Sequence, residues 1–311
     1  MDCISLGRLV EVMADTTIIN LDFFKLKECN LDIAVLLPTR GRGELAERCL
    51  FSLIDTAKDN SRIEYRVALD NDDQETIDYF QNVIIPKFEE RDINFDIISV
   101  DPMGYIKLHE YVNLLGRRAD AEWLMFWNDD AIMNTKGWDD KIVEHNGKFR
   151  VLRMQEQSQH PYAIFPIVPK DWLHLLGHLS NHQMSDAQIS QIGYMCNIVE
   201  NIDVDCTHDR FDLTGNNNDE TYNNRPQLEG NPTNPLDLNS NQTTADRYAQ
   251  CLKVMWYLRK MGDYNDHFET ALSDKTYNMW QYLEANDPNG HTTRFGIDKK
   301  TGQQIKKEER K

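Results

Sequence analysis

The sequence predicts an α/β fold, a mainly parallel sheet flanked by helices, with a helical C-terminal extension. Three observations carry this. Short apolar runs alternate with longer stretches of helical apolar spacing from residue 31 onward. Clusters of polar residues follow the apolar runs directly, at the carboxyl ends of the strands, where ligands of such sheets bind. After residue 244 only helical spacing recurs.

Ile33 to Leu37 is a continuous apolar run stopped by Pro38, as a strand buried on both faces requires. Leu45, Cys49, Leu50, Leu53, Ile54 and Ala57 recur at helical spacing. Ile63, Tyr65, Val67 and Leu69 alternate with other residues as a second strand that runs into Asp70 and the turn Asn71-Asp72-Asp73. Glu75 to Glu90 reads as a helix broken near Pro86, Ile93 to Val100 as a third strand, and Leu108 to Leu115 as a helix ending near Gly116. Trp123 to Trp127 is a fourth strand that delivers the chain to Asn128, Asp129 and Asp130. A second half follows, with a strand over Tyr162 to Val168, helices over Trp172 to Leu176 and Asp186 to Tyr194, and an extended run from Ile198 that ends at His208.

Residues 214–244 hold nine Asn and three Pro with little apolar periodicity, a loop or linker composition. Helical spacing returns over Ala245 to Met261 and Glu269 to Ala285, whose aromatics Trp256, Tyr257, Trp280 and Tyr282 read as packing faces. Lys299 to Lys311 reads as a solvated tail. The organisation expected is therefore an N-terminal arm (1–30), a catalytic-sized domain (31–213), an Asn-rich loop (214–244) and a helical extension (245–311).

The chain has 311 residues, 34 Lys+Arg against 51 Asp+Glu and a net charge of −17. Such a charge repels phosphate backbones and anionic lipid headgroups, which argues against a nucleic-acid polymer or a membrane surface as main partner and favours divalent cations. With 40% hydrophobic residues the chain is globular despite a mean hydropathy of −0.62. No apolar run approaches the roughly 18 to 20 residues of a spanning helix. Asp2, Glu11 and Asp15 interrupt the N-terminal apolar positions, unlike a secretory leader. Six scattered cysteines without a CxxC pair read as free thiols of a cytoplasmic protein.

Three constellations could carry chemistry. Gly41-x-Gly43-x-x-Ala46 lies between strand and helix like a dinucleotide fingerprint, with Asp70 placed to hold a ribose. Against that, Pro38, Thr39 and Arg40 separate the strand from the first glycine, and a plain loop with solvated Arg40 and Arg42 is an equal alternative. Asn128-Asp129-Asp130 places two carboxylates and an amide at the end of a buried strand, where like charges are costly without a cation. Such oxygen ligands suit Mg²⁺ or Mn²⁺, and a turn capped by Asp is the alternative. Asp186 opens a helix as an ordinary cap would, and His208 follows an extended run as ligand or surface residue.

In their order along the chain these pieces resemble the nucleotide-sugar-dependent glycosyltransferases of the GT-A type, especially the large family 2. Pro38-Thr39-Arg40-Gly41-Arg42 is similar to that family's Pro-Thr-x-x-Arg segment, and Asp70, Asp72 and Asp73 to its strand ending in acids. Asn113 matches an Asn-bearing helix, Glu122 to Phe126 a Glu-Trp-Leu-x-Phe strand, Asn128-Asp129-Asp130 the Asp-x-Asp metal motif, and Gly137-Trp138 the Gly-Trp pair after it. Trp172 to Gly177, Ser185-Asp186 and His208 resemble the later helix ending in Leu-Gly, the Glu-Asp pair and the strand-terminal His. Asn128 stands at the first motif position and Ser185 at the first acid of the pair.

The resemblance covers about residues 31 to 212 and implies a GT-A, Rossmann-like fold. It implies that Thr39, Arg40, Arg42, Asp70 and Asp129 line the pocket of a nucleotide-diphosphate sugar. Asp130 and His208 would meet Mn²⁺ or Mg²⁺, and Asp186 would be the base that takes a proton from the acceptor hydroxyl. It implies hexosyl transfer with inversion. Two other functions are compatible with the sequence: an NAD(P)-dependent oxidoreductase built on Gly41, Gly43, Ala46 and Asp70, and a catalytically degenerate carbohydrate-binding module marked by Asn128.

Overall fold

A computed structural model describes residues 29–158, 160–219, 223, 238, 240–263, 295–297 and 304–306. Residues 1–30 form one unit and 31–311 another, to which every element named here belongs. The central strand β1 (Leu31–Thr39) lies between β2 (Ile63–Asp70) and β4 (Ala121–Phe126), parallel to both, and β3 (Asn94–Val100) extends the parallel half beside β2. Ile33 to Leu37 are completely buried, which is why the sequence there shows no alternation. The strand does not stop at Pro38 as expected. It continues to Thr39 because pairing with β4 ends at Leu36, so the missing amide of Pro38 breaks no ladder bond on that side.

Helix α1 (Gly43–Thr56) buries Ala46, Cys49, Leu50, Leu53 and Ile54, one apolar stripe, against the sheet. After β2, α2 (Gln74–Tyr79) starts on an Asp73 cap that accepts from the Thr76 amide. The expected break near Pro86 takes the form of a π-turn over Phe80–Ile84, which leads into α3 (Ile85–Glu90). The Ile85 amide reaches back five residues to the Phe80 carbonyl, and Pro86 then sits in the first turn of α3, where its lack of an amide costs no bond.

Helix α4 (Leu108–Arg118) runs two residues past Gly116. Its buried Asn113 accepts from the amides of Leu179 (2.7 Å) and Ser180 (3.3 Å) and donates to the Ser180 carbonyl (2.7 Å), tying the helix to the loop that holds those two residues. Asn113→Ala would leave two amides and a carbonyl unpaired in the interior. We expect it to destabilise the fold by about 2–3 kcal/mol, read as a lower urea midpoint at unchanged slope.

The second half contains β5 (Ala131–Met133), α5 (Trp138–Val143), β6 (Val151–Glu156), β7 (Ile167–Pro169), α6 (Lys170–Leu176), α7 (Ser185–Met195), β8 (Val199–His208) and α8 (Phe211–Thr214). The eight strands form one sheet in the order β3-β2-β1-β4-β7-β6-β8-β5. β7 runs antiparallel to β4 and β6, β8 runs parallel to β6, and β5 antiparallel to β8. The fold is thus the expected α/β sheet with flanking helices. Two local expectations are corrected. The strand expected over Tyr162 to Val168 is confined to Ile167–Pro169, because the segment before it bends and pairs through side chains, the Ala163 amide donating to Ser190 Oγ. β5, α5 and β6 were not expected, being too short for periodicity to distinguish them from loops.

Helix α9 (Asn241–Met261) starts four residues before the expected Ala245, since Ser240 caps it by accepting from the Thr243 amide, and ends at Gly262 with φ of 75°. It packs on α6 and α7 through Cys251, Val254, Met255 and Leu258, and the Tyr257 hydroxyl donates to Asp171 (2.5 Å). The helix expected over Glu269 to Ala285 lies outside the described residues. Within the segment expected to be a tail, Gln304–Lys306 forms a strand that pairs antiparallel with Phe295–Ile297. Among the described residues no helix is long and apolar enough to cross a membrane, and the described cysteines are free thiols.

Candidate functional site

The carboxyl ends of β1, β2, β4 and β8 open onto one cavity of about 640 Å³. Its walls include Thr39, Arg40 and Arg42 after β1, Asp70 at the end of β2, Asn128, Asp129 and Asp130 after β4, and His208 closing β8. Seven of the eight site residues expected from sequence therefore meet there. The eighth, Asp186, stands in the first turn of α7, outside the cavity wall.

Register explains the meeting of the most distant pair. Ala131 in β5 pairs with His208 in β8, and the Asp209 amide donates to the Asp130 carbonyl at 2.7 Å. This sets His208 Nε2 3.3 Å from Asp130 Oδ1. Oδ1 is buried and meets no well-aligned hydrogen-bond donor.

Asp129 is saturated. Thr39 Oγ1 donates to its Oδ2 and Arg42 Nη1 to its Oδ1, both at 2.7 Å. Burial pushes its carboxyl up to about 6 against the pull of Arg42, and the neighbouring Asp130 adds to the rise. Burial acts on Asp130 the same way, yet His208, Arg42 and Arg210 together hold it below the usual aspartate value.

Arg42 is itself buried, contrary to a solvated loop, and also binds Asp219 through Nε (2.7 Å) and Nη2 (2.8 Å). On the opposite wall, Asp70 accepts from Arg40 Nη1 (2.9 Å) and from the Tyr111 hydroxyl, which in turn accepts from the Met103 amide (2.8 Å). Burial and Asp70 push the Tyr111 phenol up to about 12, so it is a fixed donor at neutral pH.

The glycines are used internally. Gly41 takes φ of 67°, and its amide donates to Asp73 (2.6 Å) and Thr76 (3.1 Å). A Cβ on Gly43 would stand 2.8 Å from the Tyr79 ring. Asp72 pairs with Arg40, and Asp73 caps α2, so neither acid adds to the cavity wall.

Burial raises the Asp186 carboxyl above its ordinary value, opposed by the Ala187 amide and by the charges of Arg210 and His208. Tyr105, Tyr111, Arg210 and Asp219 also line the cavity and escaped the sequence reading. Tyr111 looks apolar in a helical pattern, and Asp219 falls in the Asn-rich segment. Arg210 alone carried a signal, two residues beyond the strand-terminal His208.

Among the described residues no group of three or more His, Cys, Asp or Glu side chains forms a ready metal cage. The orphaned Asp130 Oδ1 and the adjacent His208 Nε2 nonetheless fit a divalent cation that takes few protein ligands and completes its shell with phosphate and water.

The chain is similar to several solved structures. One is the mannosyltransferase PcManGT from Pyrobaculum calidifontis in complex with GDP-Man and Mn2+, at 13% identity and a TM-score of 0.49 over 83% of this chain and 71% of that one. Another is S. aureus TarS 1-349 in complex with UDP-GlcNAc, at 13% identity and a TM-score of 0.48 over 86% of this chain and 95% of that one. Against the longer S. aureus TarS structure the match spans 56% of this chain but only 35% of the other, at 14% identity and a TM-score of 0.44. No protein-family model matches the chain, and no curated protein does.

Proposed function

We propose that the chain is a glycosyltransferase that moves a sugar from a nucleotide-diphosphate donor to an acceptor hydroxyl with inversion. The observation that carries this reading is the cavity at the strand ends, where the buried Arg42 and the adjacent Asp130 and His208 stand beside a polar wall. Thr39, Arg40 and Asp70 line the nucleotide side. Asp129 is a positioning residue, its two oxygens holding Thr39 and Arg42 in place. Asp130 and His208 would hold Mn²⁺ or Mg²⁺, which when bound supplies charge neutralisation for the departing diphosphate. Asp186 takes the proton of the acceptor hydroxyl, as a carboxylate of raised pKa can do at neutral pH.

The dinucleotide alternative lacks its cradle, because the Gly41 amide is bonded to Asp73 and Thr76 and the space above Gly43 is filled by Tyr79. A panel of UDP- and GDP-sugars, assayed for hydrolysis and transfer with Mn²⁺, Mg²⁺ or EDTA, tests the reading. We expect turnover of at least one donor, with product of inverted configuration, and its loss in EDTA. Binding of NADH without binding of UDP or GDP would sink it, and binding without turnover would mark a carbohydrate-binding module instead.

A further inference from the structure

Arg42 divides its hydrogen bonds between two edges. Nη1 faces inward, 2.7 Å from Asp129 and 3.7 Å from Asp130, both buried acids of the cavity wall. The Nε and Nη2 edge carries only Asp219, through the paired bonds of 2.7 and 2.8 Å. Asp219 differs from the inner acids in being one-third exposed, with 34% of its side chain accessible, and in lining the cavity from a segment beyond α8. That segment is built to reach this point. Asp209 Oδ1 accepts from Thr214 Oγ1 (2.7 Å) and Asn216 Nδ2 (2.8 Å), and the Asn217 side chain donates to the Asp209 carbonyl, which pins the chain beside His208 before it turns to Arg42.

A guanidinium presents its Nε/Nη2 edge to a carboxylate and to a phosphate in the same fork of two parallel bonds. We propose that this edge of Arg42 is the seat of a diphosphate, and that Asp219 fills it as an internal stand-in which the ligand displaces. The proposal rests on the nucleotide-sugar reading of the cavity. Three carboxylates surround one guanidinium, and the outermost is the one whose loss strands no buried charge. The cavity's other arginines already pair with acids that do not share this seat, Arg40 with Asp70 and Asp72, and Arg210 with Asp212. Ligand entry is thus an exchange of one anion for another at Arg42, and Asp219 weakens apparent affinity by competing.

The test is calorimetric titration of the full chain with UDP, GDP and inorganic pyrophosphate, for wild type, Asp219→Ala, Arg42→Ala and the double variant. Thermal melts establish that each is folded. Removing a one-third-exposed competitor should tighten the nucleotide that wild type binds by about three- to tenfold. In the Arg42→Ala background the Asp219 substitution should give no gain. Equal or weaker nucleotide binding by Asp219→Ala overturns the stand-in while leaving the nucleotide-sugar reading intact. Tightening for pyrophosphate with no nucleotide binding by any variant keeps the seat and overturns the nucleotide-sugar reading. Absence of binding by all three probes overturns both.

Discussion

Asp186→Asn is expected to lower the transfer rate by about 10²- to 10⁴-fold while leaving donor affinity unchanged. The split follows from position. Asp186 stands outside the cavity wall proposed to hold the donor, while Arg210 and His208, which oppose the rise of its pKa, belong to that wall. A base must be ionised, so the rate should fall as pH drops through the Asp186 pKa, and because burial raises that pKa the acid limb lies above the range of an ordinary aspartate. The stability sign is opposite. An acid whose pKa is raised on folding stabilises the native state in its neutral form, and that contribution is lost as pH rises through the raised value. The amide variant should therefore melt slightly higher than wild type at neutral pH even as it loses turnover. Parallel titration of donor and steady-state rates against acceptor decide the matter: a loss of donor binding equal to the loss of rate removes Asp186 from the role of base.

The largest effect on stability is expected from Asp139→Ala. Asp139 is wholly buried in the first turn of α5, where it accepts from the amides of Lys58 (2.8 Å) and Asp59 (3.0 Å) and from Arg62 Nε (3.1 Å) and Nη2 (2.5 Å). It joins a short helix of the second half to the link between α1 and β2. Its removal leaves the Lys58 and Asp59 amides without their acceptor and Arg62 paired with Asp140 alone, a change of about 3–5 kcal/mol for two unsatisfied amides and a lost charge-assisted bond. Urea denaturation measures it, and a loss below about 1 kcal/mol would show that water replaces the carboxylate. The remaining folded protein should bind nucleotide as wild type does, because none of these groups lines the cavity.

Much of the parallel half could be read from the chain because its elements are long enough for periodicity to speak. Ile33 to Leu37 and the stripe from Ala46 to Ile54 follow directly from burial on two faces or one. The second half was harder for a physical reason. β5 and β7 are three residues each, and their place in the sheet is fixed by partners far away in sequence rather than by local pattern. The cavity divides the same way. Thr39, Arg40, Asp70, Asp129 and Asp130 stand at or just after strand ends, a place the pattern itself marks, whereas His208 gained a role only from the family resemblance. Asp219 and Tyr111 were not legible, since nothing local in an Asn-rich stretch or an amphipathic helix marks which side chain will meet Arg42 or Asp70.

The order of strands has a consequence for how the protein comes to be competent. β1 to β4 are contiguous in the sheet apart from helices that cross over it, so the wall bearing Thr39, Arg40 and Asp70 can assemble from the first part of the chain to emerge during synthesis. β8 comes last and must insert between β6 and β5, two strands made well before it. Only that insertion brings His208 to Asp130. Closing such long loops is slower than local pairing, so the wall of Thr39, Arg40 and Asp70 is expected to form before His208 reaches Asp130.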